Sequence, residues 1–475
     1  MLRLADALEA ITGLRLEQAN TVITEGAIDS RQVIPGALFV ALPGERTDGH
    51  QYVSQAFERG ASLALIQQEV SGDLPVLDLR GACKHVELAN RLAETEGQFC
   101  LRVDDSLKAL QQIARFWRRK MAVDVIGITG SVGKSTSKEL VAEVLNQRYS
   151  TLKNKGNLNN EIGLPLTLLS LTSGHQKAVL EMGFYVPGEI AFLCEIAKPL
   201  VGVITNIGTV HAERAGTQEQ IARGKAELIQ ALPEDGFAIL NNDDPWVRPM
   251  AEQTAAHVFT YGMTEEAHLW ADSVEGLGLE GIRFCLHYRD EVLYLRVPLI
   301  GHHSVQTALR ATAVGLVSGL TWQEIIAGLR SLSTQLRLIS ARSEQGALLL
   351  DDSYNASPES MLSALNLLDE LNGRKVAVLG DMLELGQYEW KGHEMVGIRA
   401  SEVVDALVTV GERGRMIAAA ACRAGLPASV ITETQTVEEA IEWLQGYLTA
   451  DDVVLVKGSH GMRMERITAA LEAGQ

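Results

Sequence analysis

Gly127-Ile-Thr-Gly-Ser-Val-Gly-Lys-Ser-Thr136 decides the fold of the middle of this chain. The apolar run Val123 to Ile128 leads into it and predicts a buried strand. Ser137 to Arg148 follows, with Leu140, Val141, Val144 and Leu145 at helical spacing. A strand, a glycine turn closing on Gly-Lys-Ser and a helix together form a cradle for phosphate. The glycines let backbone N–H groups face phosphate oxygens, and the helix N-terminus adds the positive end of its dipole. Lys134 is placed to reach terminal phosphates and the Ser135 hydroxyl to ligate Mg²⁺. The general pattern begins with glycine where this chain has Ile128; Gly130 stands three residues before Gly133 instead. The expectation is an ATP or GTP site in which Thr129, Gly130, Ser131, Gly133, Lys134, Ser135 and Thr136 surround the phosphates.

At 475 residues, a chain holds about three domains of ~150 residues each. Hydrophobic residues at 46% and charged residues at 21% suit a globular protein with several cores. The net charge of −18 argues against non-specific nucleic-acid binding and against docking on an anionic membrane. An acidic protein must therefore hold a nucleotide locally, with loops, a few cations and metal. Cys83, Cys100, Cys194, Cys285 and Cys422 are scattered, with no Cys-x-x-Cys. They read as reduced core residues without disulfides or zinc. Asp6 and Glu9 interrupt the N-terminus, no signal-peptide core is present, and no apolar run reaches membrane-spanning length. A cytoplasmic monomer is expected.

Outward from the phosphate loop, the chain divides into three α/β segments: 1–105, 106–333 and 334–475. In the first, Ala37 to Leu42 and Leu63 to Ile66 predict strands, with a helix from Val53 to Arg59 between them and another from Cys83 to Glu96. Ser106 to Arg119, started by Asp104-Asp105-Ser106, predicts the helix that enters the second segment. Strands at Ala178–Glu181, Val201–Thr205 and Phe237–Leu240 alternate with helices there, which predicts a mostly parallel sheet. The third segment repeats the alternation. Its strands are expected at Ala347–Leu350, Val376–Leu379, Leu407–Val410 and Val453–Val456, with helices at Ser360–Leu371 and Val437–Leu448. This predicts a separate doubly wound, Rossmann-like domain with ligand groups at the carboxyl ends of its strands.

Several polar residues of the central segment fall at such strand ends. Glu181 closes one strand and offers a carboxylate to Mg²⁺. Asn206 and His211 follow the next, and Asn241-Asn-Asp-Asp244 follows the one after. Lys225 lies on a helical stretch between them. Taken singly, a strand-end Glu, a lone His, a helical Lys or a polar turn before Pro245 is more often structural.

Together they resemble the Mur ligase family, ATP-dependent amino-acid ligases of peptidoglycan precursor synthesis. Thr129 to Thr136 is similar to that family's phosphate loop, which also lacks the early glycine. Asn157-Leu-Asn-Asn160 is similar to its Asn-rich segment, and Glu181, His211 and Lys225 to its metal and carbamylated-lysine positions. Asn241, Asp243 and Asp244 match its adenine-side motif. At the N-terminal end, Asp29-Ser-Arg31, Phe39 to Leu42, Gly44 and Asp48-Gly-His50 resemble its UDP-binding domain. At the other end, Asp352-Ser-Tyr-Asn-Ala-Ser-Pro358, Gly380-Asp-Met-Leu-Glu-Leu-Gly386 and Val456 to Ser459 resemble the branch that adds D-alanyl-D-alanine.

The resemblance implies ATP and Mg²⁺ as cofactors, with UDP-N-acetylmuramoyl-tripeptide and D-alanyl-D-alanine as substrates. Lys134, Glu181, His211 and a carbamylated Lys225 would be catalytic, and Ser135, Glu181 and His211 would hold metal. Asn241, Asp244 and Arg337 would face the nucleotide. Ser30, Arg31, Asp48, His50, Asn159, Asn160, Asp352, Tyr354 and Asn355 would face the other substrates. The sequence departs from the family at Ser304 and Thr307, where two asparagines are usual, at Leu336, where a Gly precedes the Arg, and at His460, where an Arg is usual. Three readings stay open: this ligase, a sibling that adds another amino acid, and a nucleotide-binding homologue with an altered adenine site. A GTP-dependent switch is disfavoured, because no Asn-Lys-x-Asp motif is present.

Overall fold

The computed structural model describes residues 1–44, 47–81, 84–95, 97–331 and 339–472. Three α/β layers follow one another along the chain. The first sheet has five parallel strands, in the order Gly26–Ala27, Leu38–Val40, Leu63–Ile66, Phe99–Arg102, Val76–Asp78. The second has nine, in the order Glu291–Val297, Ile282–Tyr288, Leu269–Gly276, His257–Gly262, Phe237–Asn241, Val201–Ile204, Asp124–Thr129, Lys177–Glu181, Thr151–Lys153. The third has six, in the order Ile339–Arg342, Leu348–Asp351, Asp452–Lys457, Arg374–Gly380, Ala406–Val410, Ile431–Thr434; only its first pair is antiparallel.

The interior strands are apolar on both faces, as helices on either side require. The phosphate-loop strand Asp124–Thr129 lies between Lys177–Glu181 and Val201–Ile204. The chain leaves it for the sheet edge at Thr151–Lys153 and then returns to both flanks, so strand order reverses here. A crevice opens at the carboxyl ends of strands at such a reversal, and the loop sits in it.

The helix Ser106–Lys120 couples the first sheet to the second. Asp105 starts it by accepting the Lys108 N–H at 2.9 Å, and Arg118, Arg119 and Lys120 complement the dipole at its end. Leu110, Ile113, Ala114 and Trp117 bury one stripe, and the Trp117 indole N–H donates to the Leu171 carbonyl at 3.0 Å. Lys120 reaches Asp6 on the first helix, Leu4–Thr12, at 2.9 Å.

Three expectations need correction. The helix after the phosphate loop begins at Lys134 instead of Ser137, because Gly133 takes a left-handed φ of 79° and lets the helix start immediately. The central sheet is mostly parallel, as expected, and Leu269–Gly276, Ile282–Tyr288 and Glu291–Val297 add an antiparallel extension at one edge. Its inner face carries Leu269, Ala271, Phe284, Leu286 and Leu295, whereas Tyr294 on the outer face is 84% exposed. Cys422 is exposed, unlike buried Cys100, Cys194 and Cys285. The helix expected from Cys83 to Glu96 runs from His85 to Ala93. Cys83, Glu96 and Arg337 lie outside the described residues, as does the junction expected near 333. Among the described residues no helix is long and apolar enough to cross a membrane.

Candidate active site

The phosphate loop is fastened from one side. Ser131 N–H donates to the Asn206 carbonyl at 2.9 Å, and Val132 N–H donates to Asn206 Oδ1 at 2.9 Å. Thr205 Oγ1 donates to the Val132 carbonyl at 2.7 Å. Gly130 adopts φ +147°, and a Cβ there would lie 1.8 Å from Thr205 Oγ1, so only glycine fits. Thr129 Oγ1 donates to the Met182 carbonyl at 3.0 Å, tying the loop to the neighbouring strand. Ser135 is buried in the first helical turn, and Lys134 Nζ donates to the Gly130 carbonyl at 2.8 Å.

Glu181 ends the adjacent strand and is 3% exposed. Asn154 Oδ1 accepts its backbone N–H, and its Oε1 accepts from Asn159 Nδ2 at 2.9 Å. Its Oε2 is buried with no hydrogen-bond partner. A buried carboxylate oxygen without a partner is rare and costly, and a hard divalent cation satisfies it well. The residues present therefore fit Mg²⁺. The companion residue Asn160 acts differently: its Oδ1 accepts the Gly163 N–H at 2.9 Å and starts the helix Gly163–Leu169.

His211 follows the strand Val201–Ile204 and holds φ 65°, a strained value for a residue with a side chain. Its Nδ1 lies 2.7 Å from Oε2 of Glu384, in the Gly380–Gly386 loop of the third layer. A carboxylate only accepts, so Nδ1 carries the proton and neutral Nε2 keeps its lone pair. Among the described residues Nε2 has no hydrogen bond. Burial lowers the His211 pKa, and Glu384 partly offsets that. The Tyr185 ring packs edge-on at 4.7 Å.

Lys225, 2% exposed on the helix Gln218–Gln230, donates to the Gly130 carbonyl at 2.9 Å and lies 4.7 Å from the Phe184 ring centre. Burial, with the Lys134 charge adding to it, holds its pKa well below that of an ordinary lysine. Its neutral amine is thus populated at far lower pH than usual.

Other candidates are engaged by the chain itself. Asn241 Nδ2 donates to the Thr205 carbonyl at 3.0 Å, and Asp244 Oδ2 accepts the Ile207 N–H at 2.9 Å. Ser30 donates to Gln55 Oε1 at 2.7 Å, whereas the Arg31 side chain is 78% exposed and pairs with Asp29. Asp48 lies 2.6 Å from His50 Nδ1, and His50 Nε2 accepts the Gln67 N–H at 3.0 Å. His50 thus has no free ring nitrogen for a ligand. In the third layer, Lys457 Nζ donates to Asp352 Oδ2 at 2.6 Å and to the Asn355 carbonyl at 2.9 Å, and Tyr354 is half-exposed.

Residues 128–315 match the Mur ligase middle domain, residues 337–460 the Mur ligase glutamate ligase domain, and residues 22–118 the Mur ligase catalytic domain. The chain is 34% identical over 455 residues to the UDP-N-acetylmuramoyl-tripeptide–D-alanyl-D-alanine ligase of Bacillus subtilis (strain 168), covering 95% of this chain and 93% of that one. It belongs to the Mur ligase family. Its structure is similar to that of MurF from Acinetobacter baumannii, with a TM-score of 0.83, 30% identity and 98% of both chains covered. It is also similar to MurF from Thermotoga maritima in complex with ADP, with a TM-score of 0.77, 28% identity, and 95% of this chain and 97% of that one covered.

In this Mur ligase the sequence reading missed Glu384. Its letter stands inside a quoted motif, yet its partner His211 is 173 positions away. Asn154 and Thr205 were missed as well, since their role is to hold other residues. At the two departures, Ser304 Oγ donates to the Ile300 carbonyl at 2.6 Å and Thr307 Oγ1 accepts from Arg310 Nη2 at 3.0 Å.

Proposed function

We propose that this Mur ligase joins D-alanyl-D-alanine to UDP-N-acetylmuramoyl-tripeptide in the cytoplasm, acting as a monomer and converting ATP to ADP and phosphate. The observation that carries the chemistry is the unpartnered, buried Glu181 oxygen beside the phosphate loop. The substrates are inferred from the full-length likeness to ligases of that activity. The domain limits 1–105, 106–333 and 334–475 belong to the same proposal.

A carboxylate is a poor electrophile. Attack of the tripeptide carboxylate on the γ-phosphate gives an acyl phosphate and ADP. The D-alanyl-D-alanine amine then attacks the acyl carbon, phosphate leaves, and the nitrogen loses its proton. Lys134 and the loop N–H groups hold the transferring phosphate, so positioning and charge do most of the work. Ser135, Glu181 and His211 Nε2 would hold Mg²⁺, which neutralises phosphate charge when bound. Asn241 and Asp244 would serve the adenine side, and the family resemblance alone assigns Arg337 to the nucleotide. Ser30, Arg31, Asp48 and His50 shape the UDP site, with His50 acting through the loop it braces. Asn159 and Asn160 line the path between the sites, Asn159 by orienting Glu181. Asp352, Tyr354 and Asn355 lie on the incoming-amine side. The third layer, docked through Glu384, excludes water from the acyl phosphate.

Lys225 as an ammonium would oppose a cation. Its depressed pKa favours the neutral amine that reacts with CO₂, and the resulting carbamate is an anion. Removing bicarbonate is expected to lower activity and restoring it to recover activity, with the gain shrinking as pH falls and the amine protonates. Activity indifferent to bicarbonate at every pH contradicts the carbamate. The activity itself is tested by phosphate release from Mg-ATP with both substrates and the mass of the UDP product. A gain of one D-alanyl-D-alanine unit is expected, and phosphate release that ignores both substrates contradicts the ligase.

A further inference from the structure

Arg310 is the only buried arginine among the described residues, 4% exposed. It lies on the helix Ser304–Val317, between the fully buried Leu309 and Ala311. Nε donates to the Gln306 carbonyl at 3.0 Å and Nη2 to Thr307 Oγ1 at 3.0 Å. Nη1 is shielded from solvent and has no partner. No carboxylate forms an ion pair with the guanidinium among the described residues. The buried Tyr261 ring centre is 5.9 Å from Cζ, and that phenol is already hydrogen-bonded to the Ile204 and Thr205 carbonyls.

On its other side the guanidinium meets the phosphate loop. A Cβ on Gly133 would lie 3.5 Å from Nη1 and 3.7 Å from Nη2. Gly133 is the residue from which the helix Lys134–Leu145 starts. That helix end already carries unsatisfied N–H groups and partial positive charge. Lys134 and buried Lys225 both donate to Gly130 in the same loop. A guanidinium stays charged even when buried, and an unpaired buried charge is strongly unfavourable. The Arg310 guanidinium, Lys134 and a helix N-terminus around one loop require an anion that the polypeptide does not supply to Arg310.

We propose that Arg310 is a nucleotide-binding residue, whose unpartnered Nη1–H donates to a phosphate oxygen of ATP or ADP seated in the loop. The inference rests on the ATP reading of that loop. Gly133, at φ +79°, brings the loop backbone alongside the guanidinium. Thr307 fixes its orientation, with a hydroxyl oxygen accepting from Nη2.

The test is calorimetric ADP binding to the full-length enzyme, well below its melting temperature, beside melting curves with and without ADP. Wild type, Arg310→Met, Arg310→Lys, Thr307→Val and Lys134→Ala are compared. Arg310→Met is expected to weaken ADP binding at least tenfold and to shrink ADP-induced stabilisation, while apo melting stays level or rises because an unpaired buried charge is gone. Arg310→Lys should recover most of the affinity, and Thr307→Val should lose a few-fold. A purely structural role gives the opposite pattern: lower apo melting with ADP affinity within twofold of wild type, which overturns the proposal. Should Arg310→Met not fold, Thr307→Val decides, and ADP affinity unchanged from wild type in that variant overturns it. Wild type that binds no ADP, or binds it equally well after Lys134→Ala, overturns the ATP reading of the loop and this proposal with it.

Discussion

Two histidine–carboxylate pairs in this molecule have nearly the same geometry and opposite consequences. His50 Nδ1 lies 2.6 Å from Asp48, and His211 Nδ1 lies 2.7 Å from Glu384. The first pair spans two residues of one loop, and its second nitrogen is taken by the Gln67 N–H. The second pair joins two layers of the protein and leaves Nε2 free of hydrogen bonds among the described residues. A histidine with both nitrogens engaged by the chain braces a fold. One with a carboxylate behind it and a lone pair ahead is oriented for something the chain does not contain. Because Glu384 arrives from the third layer, docking of that layer and orientation of His211 are one event.

The sharpest way to break this contrast is His211→Ala. It is expected to reduce kcat by about 10²–10³-fold, as loss of a preorganised electrostatic contact does, with little change in melting temperature. Steady-state kinetics beside a melting curve reads both. Glu384→Ala comes next, with a loss of about 10–100-fold in activity or apparent Mg²⁺ affinity, typical of a residue behind a metal ligand. Glu384→Asp should restore part of it, which a merely packing role would not predict.

His50→Ala should do the reverse of His211→Ala. It leaves the Gln67 N–H without its partner and Asp48 with only the backbone N–H of residue 50, at a cost of about 1–3 kcal/mol in stability, while kcat changes only a few-fold. Denaturant titration of the two alanine variants separates them. The smallest effect is expected from Asp48→Asn. The His50 backbone N–H, and then the His50 side chain, hold the Asp48 pKa below its ordinary value of 3.8. A depressed carboxylate stabilises the fold above its unfolded pKa, and that contribution fades as pH falls through the folded value. The difference between Asp48→Asn and wild type should therefore be under about 1 kcal/mol at neutral pH and vanish in acid. A difference that grows on acidification contradicts this.

Much of the fold was readable because its interior strands are unbroken apolar runs ending in Gly, Asn or Asp. Phe237–Asn241 and Leu348–Asp351 are examples. The antiparallel extension was not readable: its strands alternate between a buried and an open face, and Trp270, His287 and Tyr294 on the open side hide the period. At the site, motif letters marked Glu181, His211 and Lys225, yet the letters do not report how a side chain is engaged. His50 and His211 are equivalent in sequence terms and differ only through Gln67 and Glu384, partners brought in by the fold. Arg310 had a signal that went unused, a lone charge in the otherwise small or apolar run Ala308 to Val314.

The measurement that tests the account most directly uses tripeptide substrate with ¹⁸O in the carboxylate that is to be joined. Attack of that carboxylate on ATP places one of its oxygens in the phosphate finally released. The account predicts one ¹⁸O per phosphate in wild type, and the same label in the phosphate that His211→Ala releases about 10²–10³-fold more slowly. Unlabelled phosphate released alongside ligated product would contradict an acyl-phosphate route, and with it the roles given to Glu181, His211 and Lys225.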